Sequence, residues 1–385
     1  MDFELPEQTK LIKETARRVV NEHFMPLEQS LPDRQSTYEV PPQEHEKLAK
    51  VLKELGLWAL EVPEELGGAG LGILDHCAVM EEAWRCTAGR RLWVSLFFPV
   101  LNQLGTAAQK EKYMMPSITG EIHGASAFSE PNAAGDLAGI TTTAQETSDG
   151  WLLNGTKCWI TYANTARYVL VLARLPGTKR KDGMTWFIVD ADTPGFSVTR
   201  EQQMIHGHPT YELSLIDCLV PHDAILGQPG QGFASGSNAL FRGRMTISAR
   251  GLGMGERCLE MMVSYANERQ TFGKPLASRQ AVQWMIADSA IELHNLRAML
   301  MRTAWETDQG RSMRTQTAML KLQASEIAGR VADRAVQIHG ASGLSTDLPL
   351  ERIYRDVRPM RIYEGTSEAM RSLIAKNILA GESWH

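Results

Sequence analysis

The sequence predicts an α+β protein in three parts: an N-terminal α-helical domain over 1–121, a central antiparallel β-barrel-like domain over 122–228, and a C-terminal α-helical bundle domain over 229–385. Three observations predict it. Apolar residues recur at helical spacing at both ends. Short β-rich runs punctuated by Gly, Pro, Asp and Asn fill the middle. The 385 residues allow about two to three domains.

Taken in order, Ile12, Ala16, Val19 and Val20 mark a first helix between Leu11 and Phe24. A second run after Pro41-Pro42 aligns Leu48, Val51, Leu52 and Leu55, with Gly56 as its stop. Gly67 to Gly72 then interrupts before a helical stretch around Met80 to Trp84. Strands are expected at Trp151–Gly155, Tyr168–Leu172, Trp186–Val189 and Phe196–Val198, and Leu226 to Gly232 reads as a linker. Val282, Ile286, Leu293, Leu296 and Leu300 mark one long C-terminal helix, and Leu320, Ile327, Val331, Ala335 and Ile338 another, which short loops would fold into a bundle.

Composition removes several function classes. A net charge of −5 with 43% hydrophobic and 22% charged residues describes an ordinary globular chain and argues against a nucleic-acid partner. No run approaches the roughly 18 apolar residues of a membrane span. Five scattered cysteines without a C-x-x-C pair fit a reducing compartment. Acids at Asp2, Glu4, Glu7 and Glu14, with no apolar signal core, give no targeting segment, so a cytoplasmic location is expected. There is no G-x-G-x-x-G between strand and helix, no phosphate-loop lysine motif and no G-x-S-x-G elbow. Gly251, Gly253 and Gly255 lie inside a helical pattern and read as close-packing positions. His206 and His208 lack the partners of a metal site, and no metal is expected.

What remains is a set of local patterns. Ile362-Tyr363-Glu364-Gly365-Thr366-Ser367-Glu368 runs into a helical segment. One reading is a helix entry capped by Thr366 or Ser367, with Glu364 and Glu368 near its positive end. The other is a carboxylate beside a flexible Gly, with space for a substrate. Four further stretches accompany it in order. They are Phe128 to Asp136, Gly155 to Thr161, Arg269 to Leu276, and Gln337 to Gly343. Together the five resemble the acyl-CoA dehydrogenases across essentially the whole chain.

The resemblance implies a non-covalent FAD, a C-terminal four-helix bundle, and Glu364 as the base that takes the α-proton of an acyl-CoA thioester. The carbonyl oxygen would be received by the Glu364 N–H and a ribityl hydroxyl. Hydride would leave the β-carbon for flavin N5, giving a trans-2-enoyl-CoA, and an apolar pocket would raise the Glu364 pKa. It places Phe128, Ser129, Trp159, Ile160 and Thr161 at the flavin ring. Arg269, Thr271, Phe272 and Gln280 would serve the pyrophosphate and adenosine end, with Gln337, Gly340 and Ala341 approaching from a partner subunit. Thr366 and Glu368 complete the cofactor set, and Gly135, Arg244, Tyr363 and Gly365 the substrate set. Electrons would pass to an electron-transferring flavoprotein, and the chain would form a dimer of dimers.

Three positions depart from the pattern. Phe241 replaces an acid, Gly135 a Ser, and Ala341 a Gly, which alters the details of CoA contact. Some relatives carry the base one residue before the matching arginine, which is Gly243 here and cannot serve. The rival expectations are an acyl-CoA oxidase, a member acting on a nitroalkane or other non-CoA substrate, and a flavin-binding homologue of low activity.

Overall fold

A computed structural model describes residues 4–31, 40–93, 98–133 and 135–383. The first helices are α1 (Glu7–Val19), α2 (Met25–Ser30), α3 (Pro42–Glu54), α4 (Ile73–Ala83), α5 (Phe98–Leu104), α6 (Ala107–Gln109) and α7 (Met115–Thr119). Strands β1 (Gly124–Ala127), β2 (Thr143–Glu146), β3 (Trp151–Thr161), β4 (Tyr168–Arg174), β5 (Met184–Asp190), β6 (Phe196–Gln202), β7 (Thr210–Val220) and β8 (Ile225–Leu226) follow. Then come α8 (Gly232–Glu268), the short β9 (Gln270–Thr271) and β10 (Lys274–Pro275), α9 (Gln280–Asp308), α10 (Arg314–His339), α11 (Ala341–Leu344), α12 (Leu350–Val357) and α13 (Ser367–Leu379).

The chain divides into two compact units, one of 1–61, 69–94 and 241–385, the other of 62–68 and 95–240. In the first, N-terminal and C-terminal helices share a single core that runs from Phe24, Leu52 and Met80 to Leu252, Leu300 and Val331. Helix α4 explains why. All eleven of its residues are buried, so its polar side chains need partners. Lys13 donates to Glu81 at 2.8 Å, Arg17 reaches both oxygens of Glu82, and Arg297 adds a bond of 2.7 Å to Glu81. Its first amides, Ile73 and Leu74, donate to the Asp308 carboxylate at 2.8 and 2.9 Å. The glycines inside α8 are packing positions, as their pattern predicts: a Cβ on Gly253 would lie 2.0 Å from the Glu81 carbonyl oxygen.

The second unit holds the eight-stranded sheet, in the order β6-β7-β3-β2-β4-β5-β8, with β1 paired to β4. This corrects the barrel-like part of the expectation, while most of the pairings are antiparallel as expected. The path is open, ending at β6 and β8, and β1 and β2 meet β4 in parallel. Alternation of apolar residues reports which face a strand buries but says nothing of which neighbour it pairs with. Strand β3 carries two irregularities against β7, the second between Lys157 and Ile160. Trp159 sits in it with φ of 63°, as a bulge that re-aims one side chain requires.

Candidate active site

Tyr363-Glu364-Gly365 links the turn at Arg358–Arg361 to α13. Glu364 and Gly365 both take left-handed backbone, with φ of 54° and 98°. For a glutamate that costs about 1–2 kcal/mol, so the surroundings must hold it there. Arg244 Nε donates to the Glu364 carbonyl at 3.3 Å, and buried Lys321 Nζ donates to the Gly365 carbonyl. Thr366 caps α13 by accepting from the Ala369 amide at 3.1 Å, which settles the capping residue between the two expected. Exposed Glu368 lies in the first turn, where its own amide and then the Thr366 hydroxyl hold its carboxyl below the usual range.

The Glu364 side chain is the opposite of a satisfied acid. The residue is half-buried, yet its Oε2 is enclosed and has no hydrogen-bond partner. Burial pushes its pKa up, against Arg244, Arg250 and Lys321, which pull it down. Burial likewise pushes Lys321 down to about 8, with Glu364 opposing, and lowers Arg244. Gly243 stands against the carboxyl: a Cβ there would be 3.0 Å from Oε2. The position that carries the base in some relatives, Gly243 here, therefore lies against the carboxyl of Glu364. Tyr363 beside them is exposed.

In the other unit, two of the predicted flavin stretches are joined. Cys158 N donates to the Ser129 carbonyl at 3.0 Å. Beneath them, buried Lys157 donates to Glu130 at 2.8 Å and to the Phe128 carbonyl at 3.3 Å. Glu130 also accepts from the amide and hydroxyl of both Thr141 and Thr142. Burial opposes ionisation of Glu130, but Lys157 and these donors win and hold it at about 2. The same burial takes Lys157 to about 8. Along β3 the Trp159 ring is half exposed and Thr161 is exposed, whereas the Ile160 side chain belongs to the sheet's own core. Gly135 is exposed with open space where a Cβ would stand, and its neighbour Ala134 lies outside the described residues.

The stretch from Arg269 forms a two-residue hairpin between β9 and β10. Phe272 and Gly273 both have positive φ, 49° and 70°, the backbone of a primed turn. Leu276 N donates to the Arg269 carbonyl at 2.8 Å, which closes the open end of the hairpin, and Arg279 donates to the Thr271 carbonyl at 2.6 Å, which ties the start of α9, where Gln280 lies, to the hairpin. Phe272 is 97% exposed there. Gln337, Gly340 and Ala341, at the α10–α11 junction, are exposed too. Gly340 has φ 59° and ψ −135°, a conformation open essentially only to glycine.

Each unit by itself offers features that an aromatic, phosphate-bearing cofactor can use. Trp159 and Phe272 each hold an aromatic ring towards solvent on backbone that a tryptophan or phenylalanine adopts only at a cost. Arg269 brings charge to the open end of the hairpin whose turn carries Phe272. The residues fit FAD. Among the described residues no group of three His, Cys, Asp or Glu could hold a metal, and no helix is long and apolar enough to cross a membrane.

Sequence reasoning missed Lys321, Arg250 and the Lys157–Glu130 pair. Lys321 had a legible signal, a lone charge on the otherwise uncharged buried face Thr317, Lys321, Ala324 and Ala328 of α10. Glu130 and Lys157 stand inside motifs already singled out, but their pairing is a contact across 27 residues that spacing does not reveal.

Three family descriptions match in succession: Acyl-CoA dehydrogenase, N-terminal domain, over 6–121, middle domain over 125–218, and C-terminal domain over 230–379. The chain is 39% identical to (R)-benzylsuccinyl-CoA dehydrogenase of Thauera aromatica, covering 98% of this chain and 97% of that one. It is 36% identical to the mitochondrial short-chain specific acyl-CoA dehydrogenase of Mus musculus, covering 98% and 91%. The solved structure of butyryl-CoA dehydrogenase from Megasphaera elsdenii superposes with a TM-score of 0.88 at 30% identity, covering 98% of this chain and 100% of that one.

Proposed function

The chain belongs to the acyl-CoA dehydrogenase family, and from that premise we propose how its residues divide the work. It is an FAD-dependent oxidoreductase that dehydrogenates acyl-CoA thioesters, with helical N- and C-terminal parts and a central β-sheet domain. When bound, the FAD accepts the hydride that leaves the β-carbon.

Glu364 is the base, and the observation that carries this is its enclosed, unpartnered Oε2. A lone pair with no hydrogen bond to break is free to take the α-proton, and the raised pKa brings the carboxyl closer to the acidity of an activated thioester. Arg244 and Lys321 hold the successive backbone carbonyls of Glu364 and Gly365, which fixes the backbone that carries the carboxyl without a direct bond to its Oε2. The Glu364 N–H receives the thioester oxygen, and Gly135, Tyr363 and Gly365 line the substrate's path. Phe128, Ser129, Trp159, Ile160 and Thr161 serve the flavin ring, Ile160 through its backbone. Thr366 and Glu368 join them, and the hairpin residues Arg269, Thr271, Phe272 and Gln280 serve the pyrophosphate end. The exposure of Gln337, Gly340 and Ala341 supports their facing the cofactor of a second subunit, in a dimer of dimers.

Domain boundaries at 121 and 228, a four-helix C-terminal bundle and an electron-transferring flavoprotein as acceptor belong to the same reading. The five buried free cysteines fit a reducing compartment such as the cytoplasm. Anaerobic titration of the yellow holoenzyme with straight-chain, branched and dicarboxylic CoA thioesters tests it. Bleaching with formation of enoyl-CoA is expected. A flavin that no thioester bleaches would refute it. Peroxide formed at the rate of turnover in air would assign the oxidase reaction instead.

A further inference from the structure

Glu61 is an enclosed acid that the reaction just described does not use. Its side chain is 9% exposed, and its Oε1 accepts from His76 Nδ1 at 3.0 Å and from Arg242 Nη1 at 3.1 Å. An ionised carboxylate only accepts, so that imidazole nitrogen carries a proton. The enclosed Nε2 of His76 has no hydrogen-bond partner, which leaves the ring committed to this acid. Burial opposes ionisation of Glu61, but His76, Arg242 and Arg250 outweigh it and hold the carboxyl below its usual range. Cys77, the neighbour of His76 on α4, adds no charge, since burial and then Glu61 itself push its thiol up.

Three successive residues of α8 connect this acid to the base. Arg242 bonds Glu61, Gly243 has its Cβ position 3.0 Å from Glu364 Oε2, and Arg244 donates to the Glu364 carbonyl at 3.3 Å. About two turns further on, the Arg250 guanidinium packs over the Trp84 ring, 4.3 Å from its centroid, and its Nε has no hydrogen-bond partner. Arg250 acts electrostatically on both acids, on Glu61 beside His76 and Arg242 and on Glu364 beside Arg244 and Lys321. The two carboxyls therefore compete for one guanidinium. Glu61 is fastened as an anion by two donors, which gives Arg250 a permanent counter-charge other than the base. Without it the carboxyl still facing the guanidinium would be Glu364, and an ion pair there would occupy the oxygen that must take the α-proton.

Resting on the reading of Glu364 as the base, we propose that Glu61 is a positioning residue for that reaction. Its carboxylate, anchored by His76, fixes the turn of α8 against which the base lies and restrains Arg250, so that no cation pairs with the Glu364 carboxyl. Glu61 takes no part in the bond changes; it acts through Arg242 and Arg250.

The test is the pH profile of kcat/KM of the holoenzyme with an artificial electron acceptor and the thioester that bleaches its flavin fastest, since the acid limb reports the base of the free enzyme. E61Q should move that limb down by about 0.5–1 pH unit, the size of one charge interaction across a protein interior. It should also lower the plateau by about threefold, because the base is weaker. E61D keeps the charge on a shorter arm and should move the limb less. R250M should move it the other way, and E61Q/R250M should coincide with R250M, since no cation is left to restrain. A role in folding alone would lower the melting temperature of E61Q and leave the limb in place, which overturns the proposal. A shift by E61Q that persists in the R250M background overturns it too, as does a limb that disappears with H76N and so belongs to the imidazole. Should E61Q fail to fold, E61D alone and in the R250M background still decides. Full activity of E364Q, or a flavin that no thioester bleaches, would refute the base reading itself, an outcome distinct from a limb that E364Q abolishes and E61Q leaves unmoved.

Discussion

Glu130 and Glu364 are both enclosed carboxylates close to cations, and they are treated in opposite ways. Glu130 is met by Lys157, two amides and two hydroxyls, and its pKa falls to about 2. Glu364 has three cations near it, but none bonds its Oε2, and its pKa rises. At Glu130 the close charge of Lys157, together with hydrogen bonds to the carboxyl oxygens, outweighs burial, whereas at Glu364 burial outweighs the nearby cations. The saturated acid fastens a loop to β3 at a site built to stay fixed. The unsaturated one is held by its backbone instead, leaving its oxygen for the reaction.

The contrast is sharpest in E364Q. Dehydrogenation should fall by about 10²–10⁴-fold, the contribution of a general base, with the flavin spectrum retained. Full activity in that variant would dissolve the distinction. K157M should do the reverse, costing about 3–5 kcal/mol because it leaves Glu130 buried and unpaired. Chemical denaturation measures it, and a loss below about 1 kcal/mol would mean that the threonines alone satisfy Glu130.

The pH dependences should also diverge. The rate should fall as pH drops through the raised pKa of Glu364. K321M removes a cation that lowers that pKa and should move this limb of the kcat/KM profile to higher pH; an unmoved limb would show that Lys321 only holds the loop. For stability the signs are opposite. The depressed Glu130 contributes stability above its unfolded pKa of about 4.3, lost as pH falls towards about 2. The raised Glu364 contributes only below its unfolded value, and that is lost as pH climbs through its folded pKa. At pH 8, E364Q should accordingly melt slightly higher than wild type, the smallest effect of the set, and scanning calorimetry would register a drop if the contrast is wrong.

The helices were legible because their apolar spacing is local: Val282 to Leu300 foretells α9, and Leu320 to Ile338 foretells α10. The sheet was legible only as strands. Nothing local in Thr143–Glu146 says that β2 pairs antiparallel with β3 and touches β4 in parallel at the single rung Thr143–Arg174. In the site, motif residues were readable and their supports were not. Glu130 and Lys321 matter through partners 27 and 44 positions distant. Left-handed backbone at Glu364, Trp159 and Phe272 was equally hidden, since no residue preference forecasts strain.

Gly243 lacks only a side chain to own the base, for its missing Cβ points at the very carboxyl that Glu364 carries from another segment. The reacting oxygen thus has an address that does not belong to the stretch of chain delivering it. A lineage could move the base from the loop to the helix by two substitutions, glutamate gained at one position and surrendered at the other, while substrate and cofactor stay where they are. The chemistry would then be tied to a location and not to the segment that supplies it.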